Sequence, residues 1–172
     1  DLAQVVGPRD GLARFIVSVA VLDGRGDTLH YWPAAGQRVN YADRPFFIAQ
    51  QQAEEDRLHI DAPLLGRITG RWLITMSKRL VDGDQRFAGL VLISVDPAYF
   101  AQLYEATRVG PGGSVAMIGL DGVTRVRRNG EQVSFGQYVR QSQLFSELQS
   151  QSAGQYVAEA ASDGITRVVG YR

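Results

Sequence analysis

The sequence predicts an α+β fold of two tandem units, each an antiparallel sheet flanked by helices, with the second unit incomplete. Three observations carry this. Asp-Gly recurs along the chain, and at Asp23-Gly24, Asp82-Gly83, Asp121-Gly122 and Asp163-Gly164 it stands between short apolar runs. Segments with helix-start signals alternate with these corners. Finally, SVAVLDG at 18–24 returns as SVAMIGLDG at 114–122, and 121 minus 23 gives an offset of 98 residues.

Asp-Gly readily adopts the positive φ of tight hairpin turns, so each corner predicts a hairpin. The first pairs Phe15 to Asp23 with Asp27 to Tyr31, and the second pairs Gly70 to Leu80 with Phe87 to Val95. The third pairs Ser114 to Leu120 with Val123 to Arg128, and the fourth Gln155 to Ala160 with Ile165 to Tyr171. Between them, DRPFFIAQQQAEE offers Asp43 as N-cap and Pro45 in the first turn, a favoured helix start. DPAYFAQLYEA repeats the device with Asp96 and Pro97, placing Phe100, Leu103 and Tyr104 on one face. GQYVRQSQLFSELQSQ supplies a third helix with Tyr138, Leu144, Phe145 and Leu148 as its apolar side. The units are expected to span 1–107 and 108–172, joined by the helix that starts at Asp96. RVGPGGSV reads as a connector between them. It lacks the Lys-Ser/Thr of a P-loop and precedes a strand. The ending ITRVVGYR stops in mid-strand, so one further strand is expected and the chain reads as an excerpt of a longer protein.

Composition narrows the function. Lys plus Arg and Asp plus Glu are both 18, so the net charge is zero and no basic stripe calls for nucleic acid. There is no cysteine, which removes disulfides and thiolate metal sites. No apolar run reaches the roughly 18 residues of a membrane span, and DLAQVVGPRDG lacks the basic start and apolar core of a secretory signal. His59 and Asp61 could share a strand face, but two ligands are too few for a structural zinc site. No G-x-S-x-G elbow or nucleophile–base pair is present, so no enzymatic role and no cofactor are expected. TRVRRNG, with Arg125, Arg127 and Arg128, reads as a solvated strand face.

VNYADRPFF, then PLLGRITGRWLITMSKRL, then FAGLVLISVDPAYF resemble the membrane-distal half of a bacterial double Cache sensor domain. GGSVAMIGLDGVTRVRR and GQYVAEAASDGITRVVGYR resemble the start of the membrane-proximal half. The resemblance implies an extracytoplasmic, PAS-like ligand sensor held between two transmembrane helices of an inner-membrane signalling protein. TGRW, FAG and the DPAYF helix start are most similar to versions fused to diguanylate cyclase outputs. Histidine kinases and chemoreceptors are the other outputs the family implies.

A ligand site of this kind is concave and largely apolar, with a few converging polar groups. The Tyr41 to Phe47 segment gathers Tyr41, Arg44, Phe46 and Phe47, and TGRW adds Arg71 and Trp72. Arginine grips a carboxylate with paired hydrogen bonds, and aromatic rings wall in an apolar body or face an amine. In the family the ligand lies between the distal sheet and its covering loop and helix, which maps Tyr41, Phe47, Arg71, Trp72, Ser94 and Asp96 there. Plainer roles compete at several positions. Phe46 or Phe47 is expected in the core, Asp96 as a helix cap, and Arg44 paired with Asp43 or Asp61. Arg71 and Trp72 are adjacent in a strand and cannot both face one pocket without a bulge. The RW pair also lacks the following Tyr of the amino-acid-sensing subgroup. The expected ligand is therefore a small organic molecule: a carboxylate, an amino acid or an amine. The expected function is sensing in the distal unit, with a conformational change relayed towards the membrane and a homodimer formed through helices outside this stretch. The rival reading is a ligand-free interaction or dimerisation module of the same type of receptor.

Overall fold

The computed structural model describes residues 15–34, 38–103, 109–110, 112–160 and 163–172. The chain divides into two compact units, Asp1–Tyr99 and Phe100–Arg172. The expected boundary at 107/108 falls outside the described residues, as does part of RVGPGGSV.

The first unit contains β1 (Ile16–Asp23), β2 (Thr28–Trp32), α1 (Pro45–Gln52), β3 (His59–Ile60), β4 (Leu64–Leu65), β5 (Trp72–Val81) and β6 (Phe87–Val95). Its sheet runs β2-β1-β6-β5-β3, with β4 added to β5, and the pairings are antiparallel. The first two predicted hairpins are the β1–β2 and β5–β6 pairs. Between them lies the long-range pair β1–β6, with Leu22 opposite Leu90, Ala20 opposite Leu92 and Ser18 opposite Ser94. Side chains alternate across a sheet, so these residues share one face. Ala20, Leu22, Leu90 and Leu92 form the core there with Tyr41, Phe46 and Phe47. Leu22, Leu90, Phe46 and Phe47 are essentially sealed from water, each worth about 1.5–3 kcal/mol.

An eight-residue helix is too short to be stable alone, and α1 is held by what it buries. Phe47 packs edge-on against Phe87 with centroids 5.4 Å apart. Buried Gln50 donates from Nε2 to the Ser77 carbonyl at 2.7 Å and the Arg57 carbonyl at 3.0 Å, tying the helix to β5. The Arg79 guanidinium donates to the carbonyl of Ala53 at the helix end. Asp43 does not cap the helix. Arg44 occupies the N-cap position and gives no side-chain cap bond, because Asp43 turns outward to Arg67.

α2 (Pro97–Leu103) follows β6. Asp96 Oδ1 accepts from the Ala98 N–H at 2.8 Å, the expected cap. Of its predicted apolar face, Leu103 is exposed, Ala101 is buried instead, and Tyr104 lies outside the described residues.

The second unit contains β7 (Ser114–Ile118), β8 (Thr124–Asn129), β9 (Gln132–Ser134), α3 (Gln143–Ser150), β10 (Gly154–Glu159) and β11 (Thr166–Tyr171). β7-β8-β9 form one antiparallel sheet and β10-β11 a ribbon, so the third and fourth predicted hairpins are present and β9 is an addition. Tyr138 precedes α3, bridges to Val123 and is exposed, so it is not part of the helix's apolar side. Arg125 is not on a solvated face. Only 7% exposed, it forms paired bonds of 2.9 and 3.0 Å to Asp121 and a third to the Val123 carbonyl.

The four Asp-Gly hairpin corners use the aspartate the same way. Asp23 Oδ1 accepts from the N–H groups of Arg25 and Asp27, and Asp82 Oδ1 from those of Asp84 and Arg86. Asp121 Oδ1 accepts from Val123 and Asp163 Oδ1 from Ile165.

Gly89 has φ 144°, and a Cβ there would collide with the Leu22 carbonyl oxygen across the β1–β6 pair. Gly89→Ala should destabilise the first unit by about 2 kcal/mol or more, read as a lower denaturation midpoint. At Asp121, burial pushes the carboxyl up, but hydrogen bonds from Arg125 and the Val123 N–H outweigh it and hold the pKa below 3.8. That pair therefore stabilises the fold above its ordinary value and loses this effect as pH falls through the lowered one. Asp121→Asn should lower stability at roughly neutral pH by about 1–3 kcal/mol, discounted because Asp121 is half exposed. Urea melts in strong acid should show the variant and the parent converging.

Candidate functional site

Along β1 and β6 the inward side chains shrink in the same direction, from Leu22 and Leu90 to Ser18 and Ser94. The aromatic pair of α1 fills the leucine end. At the serine end a small recess remains, partly open to solvent. Its floor is Ser18, Ser94, Leu92, Leu73 and Thr75, with Tyr31, Tyr41, Arg44 and Phe46 as walls. The loop that carries Gly66, Arg67, Ile68 and Thr69 covers it.

Backbone bonds place the walls. The Tyr41 N–H donates to the Gly26 carbonyl at 2.9 Å, and the Arg44 N–H to the Tyr41 carbonyl at 3.0 Å. Arg44 Nη2 donates to the Leu65 carbonyl at 3.1 Å, while its Nε is buried with no partner. Among the described residues no carboxylate forms an ion pair with Arg44. A guanidinium N–H sealed from water costs free energy until something accepts from it.

Arg67 is differently committed. It donates to the Asn40 carbonyl at 2.6 Å and to Asp43, and its guanidinium lies 5.8 Å from the Tyr41 ring centroid. That hydrogen bond keeps the Asp43 carboxyl below the usual range and the Arg67 pKa above its own. Burial, then nearby Tyr31, raises the Tyr41 phenol against the pull of Arg44 and Arg67, so it stays neutral near neutral pH. The covering loop closes tightly, with the Gly66 N–H donating to Arg71 and the Gly70 N–H to Gly66, both at 2.9 Å. A Cβ on Gly66 would strike Thr69 and Leu73, two residues of the lining.

The floor carries a row of hydroxyls across three strands, since Ser94 faces Ser18 on one side and Thr75 on the other. All three residues are buried. Thr75 Oγ1 donates to Asp61 Oδ2 at 3.3 Å, and Asp61 Oδ1 is 3.1 Å from His59 Nε2. The Ser18 and Ser94 hydroxyls have no protein partner among the described residues. His59 and Asp61 form a pair behind the floor, and among the described residues no group of three metal-ligating side chains occurs.

Of the expected site residues, Tyr41, Arg44 and Ser94 line the recess, and Phe46 lines it too. Phe47 belongs to the core against Phe87. Trp72 starts β5 exposed, Leu73 takes the inward position after it, and Arg71 is exposed. Asp96 is spent on the helix cap and is not in the lining. Ser18, Tyr31, Arg67 and Thr75 were not anticipated. Ser18 opens the SVAVLDG stretch, where a hydroxyl amid apolar alternation was the available signal.

The repeat isolates what is special to the first unit. The N–H bonds Tyr41 to Gly26, Arg44 to Tyr41 and Phe47 to Arg44 recur as Val139 to Gly122, Ser142 to Val139 and Phe145 to Ser142. Each donor is displaced by 98 residues (139 minus 41, 142 minus 44, 145 minus 47). The scaffold is copied, but Tyr41 becomes Val139 and Arg44 becomes Ser142.

Residues 97–172 match the family model described as a histidine kinase sensor domain of the dCache_1-like type. Over the whole chain, the fold is similar to the extracellular domain of rpHK1S-Z16, a protein assigned as a histidine kinase. Identity is 24% and the TM-score 0.86, covering 99% of this chain and 78% of that one. The ligand-binding domain of the Pseudomonas fluorescens chemoreceptor CtaA, solved with L-serine, aligns at 16% identity and TM-score 0.61 over 97% of this chain and 69% of that one. The ligand-binding domain of the Pseudomonas aeruginosa PAO1 amino acid chemoreceptor PctB, solved with L-Gln, gives 16% and 0.59 over 97% and 65%. No curated protein matches the chain. The chain has the fold shared by these domains, and its residues 97–172 match the dCache_1-like family model.

Proposed function

We propose that this chain is the extracytoplasmic sensing module of a bacterial membrane signalling protein, binding a small carboxylate-bearing molecule in the recess of its first unit. The observation that carries this reading is Arg44, whose Nε is buried, unpartnered and part of a recess that only the first repeat furnishes with Tyr and Arg. A carboxylate would satisfy that N–H with a charge-assisted bond, and the aromatic walls would hold the rest of the ligand. The bound amino acids of CtaA and PctB, which share the fold, support a small polar ligand.

Membrane anchorage and extracytoplasmic placement are supported by the receptors to which the chain is similar. Within the described residues no helix is long and apolar enough to cross a membrane. The matched family favours a histidine kinase output, and a diguanylate cyclase or chemoreceptor output uses the same kind of module. A ligand shifts such a receptor only by binding its two states unequally, and a homodimer formed outside this stretch would carry that difference onward. The ligand-free alternative requires large apolar side chains filling the recess, whereas its floor sets Ser18, Ser94 and Thr75 beside two leucines.

Thermal-shift screening against organic acids, amino acids and amines should find a ligand that raises Tm by about 5 °C at saturation. In Arg44→Gln that shift should be lost, while Arg71→Ala, outside the lining, keeps it. A shift that survives Arg44→Gln would place the ligand elsewhere.

A further inference from the structure

Taking the recess as the ligand site, as proposed above, its charge pattern narrows what enters. Among the described residues that line it, two are arginines and none is aspartate or glutamate. Three aspartates stand within two residues of, or hydrogen-bonded to, a lining residue, and each is engaged. Asp43 is turned outward to Arg67. Asp61 lies behind the floor, held by Thr75 and beside His59. Asp96 accepts from the Ala98 N–H at the start of α2.

A ligand ammonium placed in this recess would share it with the Arg44 guanidinium and leave its aqueous shell without gaining a carboxylate. Burying a charge on those terms is unfavourable, and a neighbouring like charge makes it more so. A hydroxyl in the same place meets a different surface. Ser18 and Ser94 offer hydroxyls without protein partners, each able to donate and to accept. Thr75 points its proton at Asp61, which leaves its oxygen as an acceptor for a ligand O–H. Leu64, Leu73, Leu92 and Phe46 leave apolar contact for a short carbon skeleton.

We infer that the site takes short 2-hydroxycarboxylates in preference to the matching amino acids. The carboxylate accepts from Arg44, and the hydroxyl exchanges hydrogen bonds with the Ser18–Ser94–Thr75 row.

L-lactate, L-alanine and propionate share one skeleton and differ by a hydroxyl, an ammonium and a hydrogen. Each should be titrated into the chain at neutral pH, with Tm and isothermal calorimetry as readouts. Lactate is expected to raise Tm by roughly 5 °C, propionate by less and alanine by under about 1 °C. Ser94→Ala should weaken lactate by about threefold to tenfold and leave propionate unchanged, bringing the two together. Glycolate against glycine and L-malate against L-aspartate repeat the comparison for shorter and longer skeletons. If the amino acid binds as well as or better than the hydroxy acid in these pairs, the inference is overturned and ligand sensing by the recess stands. If no member of any pair shifts Tm, the inference falls, and a ligand from the wider screen that responds to Arg44→Gln then decides whether the sensing reading survives.

Discussion

The first unit depends on the pairing of β1 with β6, which joins the start of the unit to its end. Each strand also belongs to a hairpin, so this one ladder fuses two local pairs into a sheet and fixes which face every side chain takes. A slip of β1 by one residue against β6 would turn Ala20 and Leu22 outward and bring Val19 and Val21 to the α1 side. The same ladder sets Ser18 against Ser94, and the β5–β6 ladder then adds Thr75 to the row. Core and recess are thus two ends of a single register. Gly89 is where the strands approach too closely for any side chain.

What the sequence reveals about this molecule follows the range of the interaction. The hairpins are legible because Asp-Gly corners and alternating side chains are signals a few residues wide. The helix starts at Pro45 and Pro97 are legible for the same reason. Asp43 misleads because a distant arginine, Arg67, competes for its carboxylate. Arg71 and Trp72 belong to a conspicuous motif, yet strand alternation hands the inward position to Leu73. Arg67 lies in a loop with no periodicity, and its role arises only when the loop folds over Tyr41. Arg125 reads as one of three solvated charges, but Asp121, four residues earlier, compensates it where it is buried. Ser18 and Thr75 look like ordinary strand residues until three strands align them.

The two units show how far a scaffold can be copied without its chemistry. Backbone N–H donors ahead of and at the start of α1 and α3 repeat at a constant spacing, so the turn geometry needs neither Tyr41 nor Arg44. Both side chains are free to be chosen for what they face. In the second unit the corresponding Val139 and Ser142 are an apolar and a small polar residue, and the Ser142 hydroxyl is buried without a partner. Binding chemistry is therefore a property of side chains laid over a shared frame, and the frame alone is a poor guide to it.

The aspartates at the hairpin corners have a consequence for the order in which the chain assembles. Each binds backbone N–H groups within four residues of itself, so its contribution is available before any distant part of the chain arrives. Hairpins close on a timescale of roughly 1–10 μs, whereas joining β1 to β6 must first enclose the loop, helix and second hairpin that lie between them. Local corners thus favour preformed ribbons that meet as units, and the slow event is the search for one register between them. Asp23 and Asp82, neither of them in the lining, thereby shorten the route to the ladder that creates the recess.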